Sequence, residues 1–162
     1  MRSSLTLILI IAISAAVLDQ ASKAIVLAYL PENSSMEIIP GFFDLVHFKN
    51  PGAAFGILRD NGQWKTVFLS LASVAAIVII GILLRDAKDT LTRVSLSLIA
   101  GGAAGNLVDR IRFGTVIDFL DFHLKGLHWP AFNVADSCIT IGVVLVIINA
   151  FSRKQGSPLH PQ

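Results

Sequence analysis

Four apolar blocks dominate the chain, at about residues 5–30, 64–84, 94–110 and 132–151. A helix needs roughly 20 mostly apolar residues to cross a hydrocarbon core about 30 Å thick. Within that core only helices or closed barrels satisfy every backbone polar group. The class that follows is an all-α membrane protein, one domain over residues 1–162, with four transmembrane helices. Its two long connections, 31–63 and 111–131, lie on one side. The third block is short and closes on Asp109 and Arg110, so its last turn is expected at the interface or in a polar cavity. Composition excludes a water-soluble globule: 54% of the 162 residues are hydrophobic and only 15% charged, against about a quarter charged in soluble domains.

The formal net charge of +2 is spread over single basic residues, with no basic run or helix face that suggests nucleic acid. Cys138 is the only cysteine, which leaves no internal disulfide and no cysteine-based zinc cluster. The first block has features of a cleavable leader: Arg2, an apolar stretch, then Ser14, Ala15 and Ala16. Its helical pattern runs on through Asp19, Gln20 and Lys23, which favours a retained span. Arg2, Arg85, Lys88, Arg93, Arg153 and Lys154 crowd three short segments, whereas Lys49, Arg59, Lys65, Arg112 and Lys125 are spread over the long connections. The positive-inside rule then puts both termini in the cytoplasm and both long loops outside.

The outer loops carry pattern of their own. Residues 42–49 alternate, with Phe42, Asp44, Val46 and Phe48 on one face and Phe43, Leu45 and His47 on the other, so a short strand is expected. Asn50-Pro51-Gly52 ends it. Residues 117–129 mix Phe119, Leu120, Phe122, Leu124, Leu127 and Trp129 with Asp121, His123, Lys125 and His128. Such an amphipathic stretch is expected to lie at the membrane interface. There are no internal repeats, and only residues 155–162 form a low-order tail.

Ionisable groups inside spans cost several kcal/mol, from ~2.5 upward, so each needs a partner or a function. Asp19 and Lys23, spaced i,i+4, form either an internal salt bridge or part of a site. Gly101 and Gly105 make a small-xxx-small face for close helix packing, within one chain or between two. Asn106, Asp109 and Arg110 point to roughly one side, as helix glue with a local Asp/Arg pair or as site residues. Asn133 and Asp136 share a face at the start of the fourth span, where Asp136 is an unpaired carboxylate. Asp118, in Val116-Ile117-Asp118-Phe119-Leu120, has no adjacent basic partner.

In this orientation Asp19, Asn50, Asn106, Arg110, Asp118, Asn133 and Asp136 all reach the outer boundary. Two carboxylates in a partly dry site share a proton. One then acts as general base on a water while the other polarises a carbonyl. That is aspartic-protease chemistry, open to a membrane-anchored substrate. The histidines 47, 123, 128 and 160 have no metal-ligand spacing, and no nucleophile elbow or phosphate-binding glycine loop is present. The alternative is a small proton-coupled transporter or a membrane scaffold, since intramembrane carboxylates also serve proton relays. Against it, the polar residues gather at one boundary.

Five blocks in order resemble bacterial lipoprotein signal peptidase, or signal peptidase II: Asp19-Gln20-Ala21-Ser22-Lys23, Asn50-Pro51-Gly52-Ala53-Ala54-Phe55-Gly56, Gly101 through Arg110, Val116-Ile117-Asp118-Phe119 and Phe132-Asn133-Val134-Ala135-Asp136-Ser137. The resemblance covers nearly the whole chain. It implies an aspartic endopeptidase that removes signal peptides from diacylglyceryl-modified prolipoproteins, cutting just before the lipidated cysteine. It assigns catalysis to Asp118 and Asp136, and support or substrate binding to Asp19, Lys23, Asn50, Asn106, Arg110 and Asn133. It also implies no metal or organic cofactor, and inhibition by globomycin-type compounds. The expected location is the bacterial inner membrane, multi-pass, with the site near the periplasmic face. The expected fold adds a small extramembrane β-cradle and a short interfacial helix on the outer side.

Overall fold

The computed structural model describes residues 2–52 and 63–155. The Ala53-Ala54-Phe55-Gly56 part of the second block, Arg59, His160 and the tail beyond 155 lie outside the described residues. Among the described residues, four helices are long and apolar enough to cross a membrane. They are α1 (Arg2–Tyr29), α2 (Gln63–Asp86), α3 (Thr90–Phe113) and α4 (Val134–Gln155).

Helix α3 packs against each of the other three and forms the centre of the bundle. Some 44% of its most apolar window is buried, against 6–11% for the others. That position explains its weak hydropathy: protein, not lipid, surrounds it, so Gly, Ser and Asn are tolerated there. Ser95 and Ser97, both wholly buried, donate to the carbonyls of Leu91 and Arg93, one turn back. The helix is longer than its apolar block because both ends are capped by polar chemistry. Asp89 accepts from Thr92 N at 2.8 Å at the start, and Gly114 closes the end with φ 73°, a left-handed conformation that glycine adopts without strain.

Glycines let the backbones meet. A Cβ added at Gly101 would strike the carbonyl oxygen of Ala12 and lie 2.8 Å from Ala15 Cβ; one added at Gly105 would lie 2.5 Å from Asp19 Oδ2. The small-residue face therefore packs inside one chain, against α1. Gly101→Ala is expected to cost about 1–3 kcal/mol through overpacking. The check is the thermal unfolding midpoint in detergent, and an unchanged midpoint would contradict this packing.

On the end formed by Tyr29, Gln63, Phe113 and Val134 sits an antiparallel sheet of order β1-β2-β3-β4. Its strands are β1 (Ser35–Ile39), β2 (Phe43–Asn50), β3 (Val116–Leu124) and β4 (Leu127–His128). Strand β2 occupies the stretch expected from alternation, but the alternation breaks. Leu45 pairs with Leu120 and Phe48 with Asp118, so β2 carries one extra residue, a bulge. As a result Val46 and His47 are both buried, although the pattern put them on opposite faces. Beyond the bulge, Phe48 and Asn50 share a face with their partners Asp118 and Val116.

Residues 117–129, the amphipathic stretch, are extended and not helical. They are β3, a turn and β4, with Val116, Ile117, Asp118 and Phe119 all buried. The expected short interfacial helix is absent among the described residues. Phe132 closes the sheet onto α4, accepting from the backbone of Phe119 and Leu120 and donating to Leu120 O.

Candidate active site

The polar residues of α1 and α3 meet around one ammonium group. Lys23, 1% exposed, places Nζ 2.8 Å from Asp19 Oδ2 and 2.7 Å from Asp109 Oδ2. It donates its third bond to Asn106 Oδ1 at 3.0 Å. An ammonium has three donors, and all are used. Asp19 and Asp109 are wholly buried. A buried charge of this kind persists only with ionic and hydrogen-bond partners, and both carboxylates have several. Gln20 Nε2 donates to Asp109 Oδ1 at 2.8 Å, Ile117 N to Asp109 Oδ2 at 3.1 Å, and Ala135 N to Asp19 Oδ1 at 2.9 Å.

From this cluster the network extends to two more carboxylates. With Lys23 on its oxygen, Asn106 turns Nδ2 outward and donates to Asp136 Oδ1 at 2.8 Å. Asp136 lies in the first turn of α4. Asn133 is the helix cap: its Oδ1 accepts from Asp136 N at 2.9 Å. The same amide sends Nδ2 to Asp118 Oδ1 at 2.8 Å. The other Asp118 oxygen accepts from Asn50 Nδ2 at 2.8 Å, and Asn50 Oδ1 accepts from Gly52 N at 2.8 Å, which fixes its orientation. Burial pushes the Asp118 carboxyl up to about 6; the Asp136 charge adds to this, while the Asn50 and Asn133 amides and the Lys23 charge oppose it.

Seven of the eight residues singled out in the sequence therefore join one continuous network: Asp19, Lys23, Asn50, Asn106, Asp118, Asn133 and Asp136. Arg110 stands apart from its hydrogen bonds. Its Nη1 donates to Ser73 Oγ of α2 at 3.2 Å, and its charge acts electrostatically on Asp136, Asp109 and Asp118. Asp109 is not the local partner of Arg110; its ion pair is with Lys23. The signal for this was present, because 101, 105 and 109 lie on one stripe and the two glycines face α1. Gln20, which binds Asp109 from α1, carries no such signal. His47 is buried, with Nδ1 2.9 Å from Leu30 O, whereas His123 and His128 pair with Asp44 and Asp121.

The architecture is that of a multi-pass membrane protein with a carboxylate-bearing polar site at one end of its helices, closed over by a small sheet. Two solved structures described as bacterial membrane enzymes share it. One has a TM-score of 0.84 and 31% identity, covering 97% of this chain and 94% of its own. The other has a TM-score of 0.80 and 34% identity, covering 90% and 92%. The family model for signal peptidase (SPase) II matches residues 11–152. Among relatives, the lipoprotein signal peptidase of Desulforapulum autotrophicum is 46% identical over 140 residues, covering 85% of this chain and 86% of its own. That of Oleidesulfovibrio alaskensis is 43% identical over 156 residues, covering 95% and 100%. The chain belongs to the signal peptidase II family, and it is a membrane peptidase.

Proposed function

We propose that this protein is an aspartic endopeptidase that cuts diacylglyceryl-modified prolipoproteins just before the lipidated cysteine, with Asp118 and Asp136 as its catalytic pair. One observation carries the reading. Two carboxylates from separate elements, a strand and a helix start, are held by a single amide network, Asn50 and Asn133 on one and Asn106 on the other. Asn133 touches both, through its side chain to Asp118 and through its cap to the Asp136 backbone.

The environments divide the roles. Asp118, 3% exposed and pushed up to about 6, is the one that keeps the shared proton. Asp136 lies in the first turn of α4, where a helix terminus favours negative charge. In the reaction Asp136 takes a proton from water, whose oxygen attacks the scissile carbonyl, while Asp118 gives its proton to the carbonyl oxygen. As the tetrahedral intermediate collapses, Asp136 passes its proton to the leaving nitrogen and Asp118 recovers one from the oxygen. Asp19, Lys23, Asn106 and Asn133 support the pair, and Asn50 and Arg110 flank the space where substrate meets it.

Arg85, Lys88 and Arg93 border the α2–α3 turn, at the bundle end away from the sheet. With positive residues inside, the sheet and the site face the periplasm and both termini the cytoplasm. Globomycin-type inhibitors fit the same reading as competitors for the site.

The pH dependence tests the assignment of the proton. The active form carries one proton on the pair, so kcat/KM should fall as pH rises through the upper titration, near 6 in the free enzyme. In kcat the same limb should move higher, because bound substrate excludes water and further disfavours the second charge. A kcat/KM profile flat between pH 5 and 8 would contradict the shared proton.

A further inference from the structure

We infer that Asp109 is a positioning residue for the reaction: with Asp19, and joined to it through Lys23, it sets where Asp118 and Asp136 stand relative to each other. The inference rests on the aspartic reading above. Asp109 Oδ2 accepts from Ile117 N at 3.1 Å, and Ile117 is the residue just before Asp118. Asp19 Oδ1 accepts from Ala135 N at 2.9 Å, and Ala135 is the residue just before Asp136. Each catalytic carboxylate is thus one peptide unit away from a charge-assisted bond to a buried aspartate.

Lys23 bridges the two anchors at 2.7 and 2.8 Å. Its third bond, to Asn106, runs on to the Asp136 side chain. Gln20 Nε2, on the remaining Asp109 oxygen at 2.8 Å, keeps that carboxylate from rotating. The strand and the helix that bear the pair also meet through the Phe132 backbone and the Asn133 side chain, both at the level of the pair itself. A common ionic anchor beneath both fixes their separation. A misplacement of about 1 Å in such a site costs about 10²-fold in rate.

A salt bridge that merely held α1 to α3 would lower the amount of folded protein and leave the turnover of each folded molecule alone. The test therefore measures kcat and KM per folded molecule, with a diacylglyceryl-modified prolipoprotein in detergent. The variants are Asp109→Asn, Asp109→Glu and Gln20→Met. Asp109→Glu keeps the charge opposite Lys23 but displaces the acceptor of Ile117 N. Gln20→Met leaves both ion pairs and frees the carboxylate to rotate, so it decides the question even if both Asp109 variants fail to fold. The expected result is a kcat lower by about 10²-fold for either Asp109 variant and by roughly tenfold for Gln20→Met, with KM little changed. Parental kcat per folded molecule in Asp109→Glu or in Gln20→Met overturns the inference. Asp118→Asn run alongside separates the two levels: if that variant is active the aspartic reading itself fails, and if it is inactive while the others turn over normally, only the positioning role fails.

Discussion

Asp118→Asn should lower cleavage by about 10⁴-fold while leaving a folded protein, and Asp136→Asn should do the same. General acid–base groups contribute about 10²–10⁴-fold each, and here neither proton transfer can be completed without the other. Folding survives for a reason that can be worked out for Asp118. Its carboxyl is pushed from 3.8 to about 6 in the folded protein. Between those values the unfolded chain has released the proton and the folded chain still holds it, so stability falls as pH rises. Above pH 6 the loss is complete and amounts to up to about 3 kcal/mol. Asparagine removes that cost, but it leaves one of the Asn50 and Asn133 amide donors facing another donor, at about 1–3 kcal/mol. Unfolding of Asp118→Asn at pH 7.5 should therefore match the parent closely. At pH 4, where the parent escapes the ionisation cost, the variant should be the less stable. Thermal unfolding in detergent at both pH values checks this, and a variant equally destabilised at each would contradict the buried, proton-holding Asp118.

The largest expected effect on stability comes from Lys23→Met. Asp19 and Asp109 are both wholly buried, and each lies within 2.8 Å of the ammonium. Removing it leaves two adjacent carboxylates without a cation, and breaking a buried pair in this way costs about 3–5 kcal/mol. Neutralising the carboxylates as well should reverse most of the loss, because the desolvated charges go with them. Lys23→Met combined with Asp19→Asn and Asp109→Asn should therefore unfold at a higher temperature than Lys23→Met alone, yet stay inactive. If the triple variant is no more stable than the single one, the cost of Lys23→Met lies in packing and not in the stranded charges.

Much of this was legible in the sequence because hydrocarbon makes polar residues costly. Asp19, Lys23, Asn106, Asn133 and Asp136 stand out against apolar blocks, and a helical repeat says which of them share a face. What the repeat does not say is which neighbour a face meets. A local pair of Asp109 with adjacent Arg110 and a place in the site are therefore equally open from the repeat, whereas the packed glycine stripe turns Asp109 toward Lys23 and leaves Arg110 to Ser73 of α2. The outer loops were harder. Alternation found β2, but the extra residue between Leu45 and Phe48 changes which faces are buried, and a bulge has no local signature here. Strand β3 hid its character because residues 116–119 are buried on both faces, so no polar alternation marks them. Strand β1, with every residue exposed, is held by pairing to β2, so no buried face marks it in the sequence.

The most direct test of the account is the mass of the products released from a purified, diacylglyceryl-modified prolipoprotein by the parent protein, Asp118→Asn and Asp136→Asn. The account predicts two products from the parent, divided at the bond just before the lipidated cysteine, and none from either folded variant. Cleavage at another bond, or the same products from either variant at the parental rate, would contradict it.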